Sequence, residues 1–258
     1  MIRLPRPSLR ASGVVSAAVA GLAIGVAPGA VAPVSTAGPV IPDSPAVHSK
    51  VHPLNSTTEN WFGYVAHGGT YTSVASTWVQ PAVDCSKGDG WAFLWVGLDG
   101  WGSPTVEQTG TGALCSGGQA SYTAWWETFP NTWTPYKDTV KPGDTLSAEV
   151  TFEGSGKYDL HLTDQTQGWT EDNLQQAASG ATNASAEVVG ETPTTIFGTL
   201  TGLPDFGTVT LTNSRVDGQA IADSNPEAVD LARNGHTLAT TGGLSNGTDF
   251  TGTWQANS

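Results

Sequence analysis

Along most of this chain apolar and polar residues alternate with a period of two. The alternation is clearest at Leu146, Ala148, Val150 and Phe152, at Tyr158, Leu160 and Leu162, and at Val209 and Leu211. Successive side chains of a strand point to opposite faces, so each of these segments predicts a half-buried β-strand. Turn signals separate them: Gly68-Gly69, Pro142-Gly143-Asp144, Gly154-Ser155-Gly156, Asp217-Gly218, Asn234-Gly235 and Asn246-Gly247. Gly, Asn and Asp accept the positive φ that tight hairpins require. One short helical turn is expected, around Glu227 to Arg233. Many short strands, abundant glycine and almost no amphipathic helix predict an all-β fold, an antiparallel β-sandwich.

Two stretches depart from the strand pattern. Arg3, Arg6 and Arg10 precede an apolar run from about Gly13 to Ala27, followed by small residues through Ala32. A charged start, an apolar core and small residues make a secretory signal peptide, assigned to residues 1–32. The run is shorter than the ~20 apolar residues a membrane span needs, and Pro28 interrupts it. Residues 33–58 are rich in Pro, Ser, Thr and Val without periodicity and read as a linker or short pro-segment. A single sandwich domain is expected over residues 59–258, long enough for a substantial core.

Charge narrows the partners. The formal net charge is −13, and the assigned leader removes three of the ten basic residues and none of the 23 acidic ones, leaving about −16. The remaining Lys and Arg are scattered, which argues against nucleic acid and against an anionic membrane surface. A chain with few bases also accumulates little positive self-repulsion in acid. The two cysteines, Cys85 and Cys115, are expected to form a disulfide in an exported protein. The five histidines show no HExxH or CxxC-type spacing, so no metal and no cofactor are expected.

Eight of the ten tryptophans lie between Trp61 and Trp133, more than a core of Val, Leu and Ile requires, so some are expected to line a binding groove. The chain has no GxSxG elbow, no plausible Cys–His pair and no DTG or DSG loop. Its chemistry must come from polar residues set in aromatic strands.

Those strands carry a resemblance. The segments Asn60-Trp61-Phe62-Gly63-Tyr64, the run 71–81 ending in Trp78-Val79-Gln80-Pro81, Trp95-Val96-Gly97-Leu98-Asp99-Gly100 and Glu107-Gln108-Thr109-Gly110 come first. Tyr122-Thr123-Ala124-Trp125-Trp126-Glu127 with Pro130, the run from Ala186 and Glu187 to Glu191, and the run from Asp205 to Asn213 follow. In order and approximate spacing they resemble the glutamic peptidase (eqolisin) family. The resemblance implies two curved antiparallel sheets of the concanavalin-like jelly-roll type with the catalytic residues on the concave face. It also implies a secreted acid endopeptidase acting on proteins or peptides, for which a monomer is the default expectation. Gln108 and Glu191 take the positions of the catalytic pair, and Trp61, Trp95, Asp99 and Glu127 match residues that surround it.

Such a pair suits amide hydrolysis. A carboxylate deprotonates water and later protonates the leaving nitrogen, while a side-chain amide donates to the tetrahedral oxyanion. Three residues depart from the family pattern: Gly190 replaces a β-branched residue beside the glutamate, Glu107 an apolar residue before the glutamine, and Thr123 an acid found in some relatives. Glu187, sharing a strand face with Glu191, is expected to be a solvated charge. A carbohydrate-active sandwich using Glu127 and Glu191, or a lectin-like binding module, are the alternatives.

Overall fold

The computed structural model describes residues 46–47, 57–195 and 198–258; the assigned leader and nearly all of residues 33–56 lie outside the described residues. The fold is carried by β1 (Trp61–His67), β2 (Ser73–Val79), β3 (Gly90–Leu98), β4 (Val106–Ser116), β5 (Gln119–Phe129) and β6 (Thr145–Gly154). It continues with β7 (Lys157–Asp164), β8 (Ser185–Glu191), β9 (Thr208–Val216), β10 (Glu227–Arg233), β11 (His236–Thr241) and β12 (Phe250–Trp254). Shorter strands lie at their margins.

These strands form an antiparallel sandwich. One sheet runs β10–β1–β8–β3–β4–β5, and the other β7–β6–β2–β9–β12–β11–β10. Strand β10 serves both: residues 227–229 pair with β1 and residues 231–233 with β11, joining the sheets along one side.

The two sheets differ in the way their sequences foretell. In β7 every second residue is buried and the others face outward, and β9 does the same on either side of an irregularity at Thr212 and Asn213. Their inward set packs with Phe62, Leu94, Val96 and Val188 in one apolar core between the sheets. By contrast β3 and β8 are buried along their whole length. In β3 the inner set is Ala92, Leu94, Val96 and Leu98, while Trp91, Phe93 and Trp95 form a second aromatic cluster on the opposite face with Trp61, Trp125 and Trp133. A strand apolar on both sides is a strand covered on both sides. The tryptophan excess therefore belongs mainly to the face turned away from the second sheet, although Trp78 is buried between the sheets.

The turn signals hold their places: Ser155, Asp217, Asn234 and Asn246 all adopt positive φ, as do the glycines that follow them. The expected helical turn at Glu227 to Arg233 is instead strand β10. Ala228, Leu231 and Ala232 have helical spacing, but Val229 and Leu231 are the buried residues and alternate with period two. The Asn234-Gly235 turn folds this segment back on β11, so the hairpin overrides a local helical preference. The helices among the described residues are two 3₁₀ turns, Cys85–Lys87 and Ile221–Ser224. The first is bonded through Cys85 to Cys115 on β4, forming the expected disulfide.

Candidate active site

Strand register alone gathers the candidate residues on one face of the first sheet. Gly97 on β3 lies opposite both Glu187 on β8 and Gln108 on β4, and Gln108 lies opposite Glu127 on β5. Four residues along β8, Glu191 lies opposite Trp61 on one side and Phe93 on the other. Positions an even number apart share a face, so Glu187, Glu191, Trp95, Gln108 and Glu127 project together. This is the aromatic face.

Glu191 is fully buried, and its carboxylate is clamped by two side chains distant in sequence. The Asn60 side-chain amide donates to Oε1 at 2.8 Å, and the Trp95 indole N–H donates to Oε2 at 2.9 Å. Gln108 is also buried and donates from Nε2 to Glu127 Oε2 at 2.7 Å. A primary amide has two N–H groups, so one donor remains for a ligand. Its carbonyl Oε1 has no hydrogen-bond partner among the described residues.

Glu191 and Gln108 sit two strands apart, and Trp95 spans the gap. Its Nε1 reaches Glu191, while the far edge of its ring lies over Gly97. A Cβ at Gly97 would stand 2.9 Å from Trp95 Cζ3 and 3.1 Å from Gln108 Cβ. Only a glycine lets the indole and the glutamine share that space. Trp61 meets Trp95 edge-on, with ring centroids 5.1 Å apart and planes at 81°, an arrangement favoured by the aromatic quadrupoles.

Asp99 lies at the edge of this face. At φ 65° it ends β3, and its buried carboxylate accepts from Thr182 N and Oγ1, Asn183 N and Ala184 N. Four donors hold it as a tie between two loops at the edge of the face. Thr123 donates its hydroxyl to the Ala124 carbonyl.

Gly190 takes a defined place in a regular strand. β8 is continuous from Ser185 to Glu191, with Gly190 directly opposite Phe62. A Cβ at Gly190 would come within 2.0 Å of the Phe62 ring, and one at Gly252 on β12 within 2.1 Å. Phe62 therefore fills the volume that two glycines vacate, and stacks on Phe206 at 5.2 Å. The bulk missing from the glutamate's own strand is supplied by its neighbour.

Sequence reasoning did not assign roles to three groups. Asn60 was visible only as the residue before Trp61. Glu187 is fully buried rather than solvated, and burial together with the charges of Asp99 and Glu107 pushes its carboxyl well above the usual range. Glu107 points between the sheets, where neither oxygen has a hydrogen-bond partner among the described residues. Burial, with Asp99 nearby, raises it to about 9.

Residues 59–254 match the Peptidase A4 family. The chain is 27% identical over 230 residues to aspergillopepsin-2 of Aspergillus niger, covering 78% of this chain and 81% of that protein. Its fold is similar to scytalido-glutamic peptidase solved with a transition-state analogue inhibitor, at a TM-score of 0.68 and 21% identity, over 76% of this chain and 98% of that one. It is also similar to the aspergilloglutamic peptidase of Aspergillus niger, at a TM-score of 0.57 and 26% identity, over 64% and 99%. SCP-B, an eqolisin solved with the tripeptide Ala-Ile-His, aligns at a TM-score of 0.65 and 21% identity, over 76% and 98%.

Proposed function

Because the chain belongs to the peptidase A4 family and is a glutamic-type endopeptidase, we propose that Glu191 and Gln108 are its catalytic pair and that it works in acid on proteins outside the cell. The observation that carries this reading is the indole of Trp95, which donates to the Glu191 carboxylate at one end and lies over Gly97, the register partner of Gln108, at the other.

In this mechanism the Glu191 carboxylate takes a proton from a water molecule. The water attacks the scissile carbonyl carbon. The second N–H of Gln108 donates to the oxygen as it becomes an oxyanion, while Glu127 fixes the amide through the first. Gln108 Oε1 is an acceptor that can orient the attacking water. Glu191, now protonated, gives its proton to the leaving nitrogen and the C–N bond breaks. Asn60 and Trp95 keep the carboxylate aimed throughout. Trp61 and Trp95 supply rigid aromatic wall for an extended peptide, and Asp99 ties the loop at its edge. The inhibitor and tripeptide complexes of the similar structures support a peptide as the ligand.

Export is supported by the leader pattern in residues 1–32. Among the described residues no helix is long and apolar enough to cross a membrane. The carbohydrate reading is disfavoured by the topology. Glu127 and Glu191 lie three strands apart, about 14 Å across the sheet, and are further offset by four residues along it, and Glu127 is bound to Gln108.

The test is digestion of denatured haemoglobin or casein across acid and neutral pH by wild type, Glu191→Gln and Gln108→Ala. Wild type is expected to cleave. Glu191→Gln is expected to be inactive, and Gln108→Ala to lose about 10²–10³ in kcat, the cost of one oxyanion donor. Digestion by both variants at the wild-type rate would overturn the assignment.

A further inference from the structure

Residues 57 and 58 run parallel to β10, with Thr57 opposite Asp230 and Thr58 opposite Leu231. This brings the chain entering β1 beside Arg233, the last residue of β10. Two arginines lie between residues 57 and 258, and they are used differently. Arg215 is exposed, whereas Arg233 is half-buried and reaches two backbone carbonyls. Its Nε donates to Glu59 at 2.7 Å and its Nη1 to Thr201 at 2.6 Å.

Those two carbonyls flank the Asn60–Glu191 contact. Glu59 precedes Asn60, whose side chain holds Glu191 Oε1. The Thr201 carbonyl also accepts from the Thr192 hydroxyl at 3.0 Å, and Thr192 follows Glu191. Thr192 is fully buried, and its N–H donates to the Asn60 carbonyl at 2.9 Å. That bond carries the β8–β1 ladder one residue beyond its last strand pair, Glu191 opposite Trp61. The Thr201 N–H and hydroxyl both donate to the Pro193 carbonyl at 3.1 Å. The segment bearing Thr201 is thus tied to both residues that follow the glutamate.

We propose that Arg233 is a positioning residue for the catalytic carboxylate: by gripping Glu59 and Thr201 with one guanidinium, it fixes the separation of Asn60 and Glu191. This rests on the peptidase reading and deepens it, extending the support of the site to a residue whose two hydrogen bonds go to backbone.

The end of this ladder needs such a device. β8 stops at Glu191, and Pro193, two residues later, has no N–H with which to continue the pairing. The chain before Asn60 likewise leaves the first sheet to run beside β10. Strand ends open more readily than strand centres, yet Asn60 must stay within hydrogen-bond reach of Glu191. Arginine suits the task because its nitrogens form a rigid planar fork, so holding two carbonyls fixes their relative position. A lysine offers one nitrogen on a flexible stem. Burial costs the guanidinium part of its hydration, and the two carbonyls with the charge of Glu59 offset that loss.

Steady-state kinetics on a fluorogenic peptide test this with Arg233→Met, which keeps the length of the side chain and donates nothing. Its kcat is expected to fall about tenfold, with KM within about twofold of wild type. In an Asn60→Ala background Arg233→Met is expected to cost nothing more, because the contact it protects is already gone. The proposal is overturned if Arg233→Met keeps the wild-type kcat. It is also overturned if its loss multiplies with that of Asn60→Ala, as it would for an arginine acting independently of that contact. A second measurement needs no activity. In the Glu191→Gln protein, adding Arg233→Met should quicken hydrogen exchange at the Thr192 amide about tenfold, read by NMR, while Val188 in the middle of β8 keeps its protection. Unchanged exchange at Thr192 would count against the proposal equally. Should Arg233→Met fail to fold, Arg233→Lys carries both measurements, with effects of about threefold expected from the loss of one of two donors. Faster exchange at Thr192 in a chain whose wild type cleaves no peptide would sink the peptidase reading alone.

Discussion

At the scale of single residues, the site is a set of buried polar groups, some clamped by donors and others, such as Gln108 Oε1, without a partner among the described residues. Glu191 is the clearest case, since a buried carboxylate needs donors to compensate lost hydration, and two come from the side chains of Asn60, just before β1, and Trp95 on β3. Hydrogen bonds to charged groups are worth about 1.5–3 kcal/mol. Trp95→Phe keeps a ring over Gly97 but removes the indole donor, so kcat should fall about 10- to 100-fold. Steady-state kinetics on a fluorogenic peptide would measure it, and the same loss is expected for Asn60→Ala. Gly97→Ala should be worse than its single methyl suggests, because the new carbon has neither Trp95 nor Gln108 able to yield without moving the other.

At the scale of elements, β8 shows how a strand tolerates a glycine beside its functional residue. Glycine weakens a strand interior when nothing packs in place of the missing side chain. Here Phe62, directly across on β1, occupies that place. Phe62→Ala should therefore cost about 3–5 kcal/mol, read from the denaturation midpoint. Gly190→Val alone should destabilise by overpacking against the same ring. Combining Phe62→Gly with Gly190→Val should recover much of the loss, a coupling visible in a double-mutant cycle. Strictly additive effects would show that the two sites do not share one volume. β10 teaches the complementary lesson, since its composition favours a helical turn while pairing on both sides makes it the strand that joins the sheets.

At the scale of the molecule, two buried acids favour the folded state at low pH. Glu107 lies between the sheets and holds its proton up to about 9, whereas the same group in the unfolded chain releases it near its ordinary value of 4.5. Between those values the native state carries one more proton than the unfolded state, so stability falls as pH rises. The contribution is fully present below about 4.5 and is lost on the way to about 9. Glu187 acts in the same direction. Glu107→Leu should remove one proton's worth of slope, about 1.4 kcal/mol per pH unit, in urea titrations at successive pH values. An unchanged slope would show that Glu107 is not neutral in the native protein. The all-β class and the hairpin turns were legible in the sequence through local periodicity and turn chemistry, the disulfide through there being two cysteines, and the candidate pair was nominated by the short motifs that carry the resemblance. What only the tertiary structure decided depends on pairing over long sequence separations: Asn60 meeting Glu191, Phe62 filling the space at Gly190, Asp99 tying a loop, and Glu187 and Glu107 losing their water. A strand's own sequence fixes which residues share a face, but only its neighbours decide whether that face is wet.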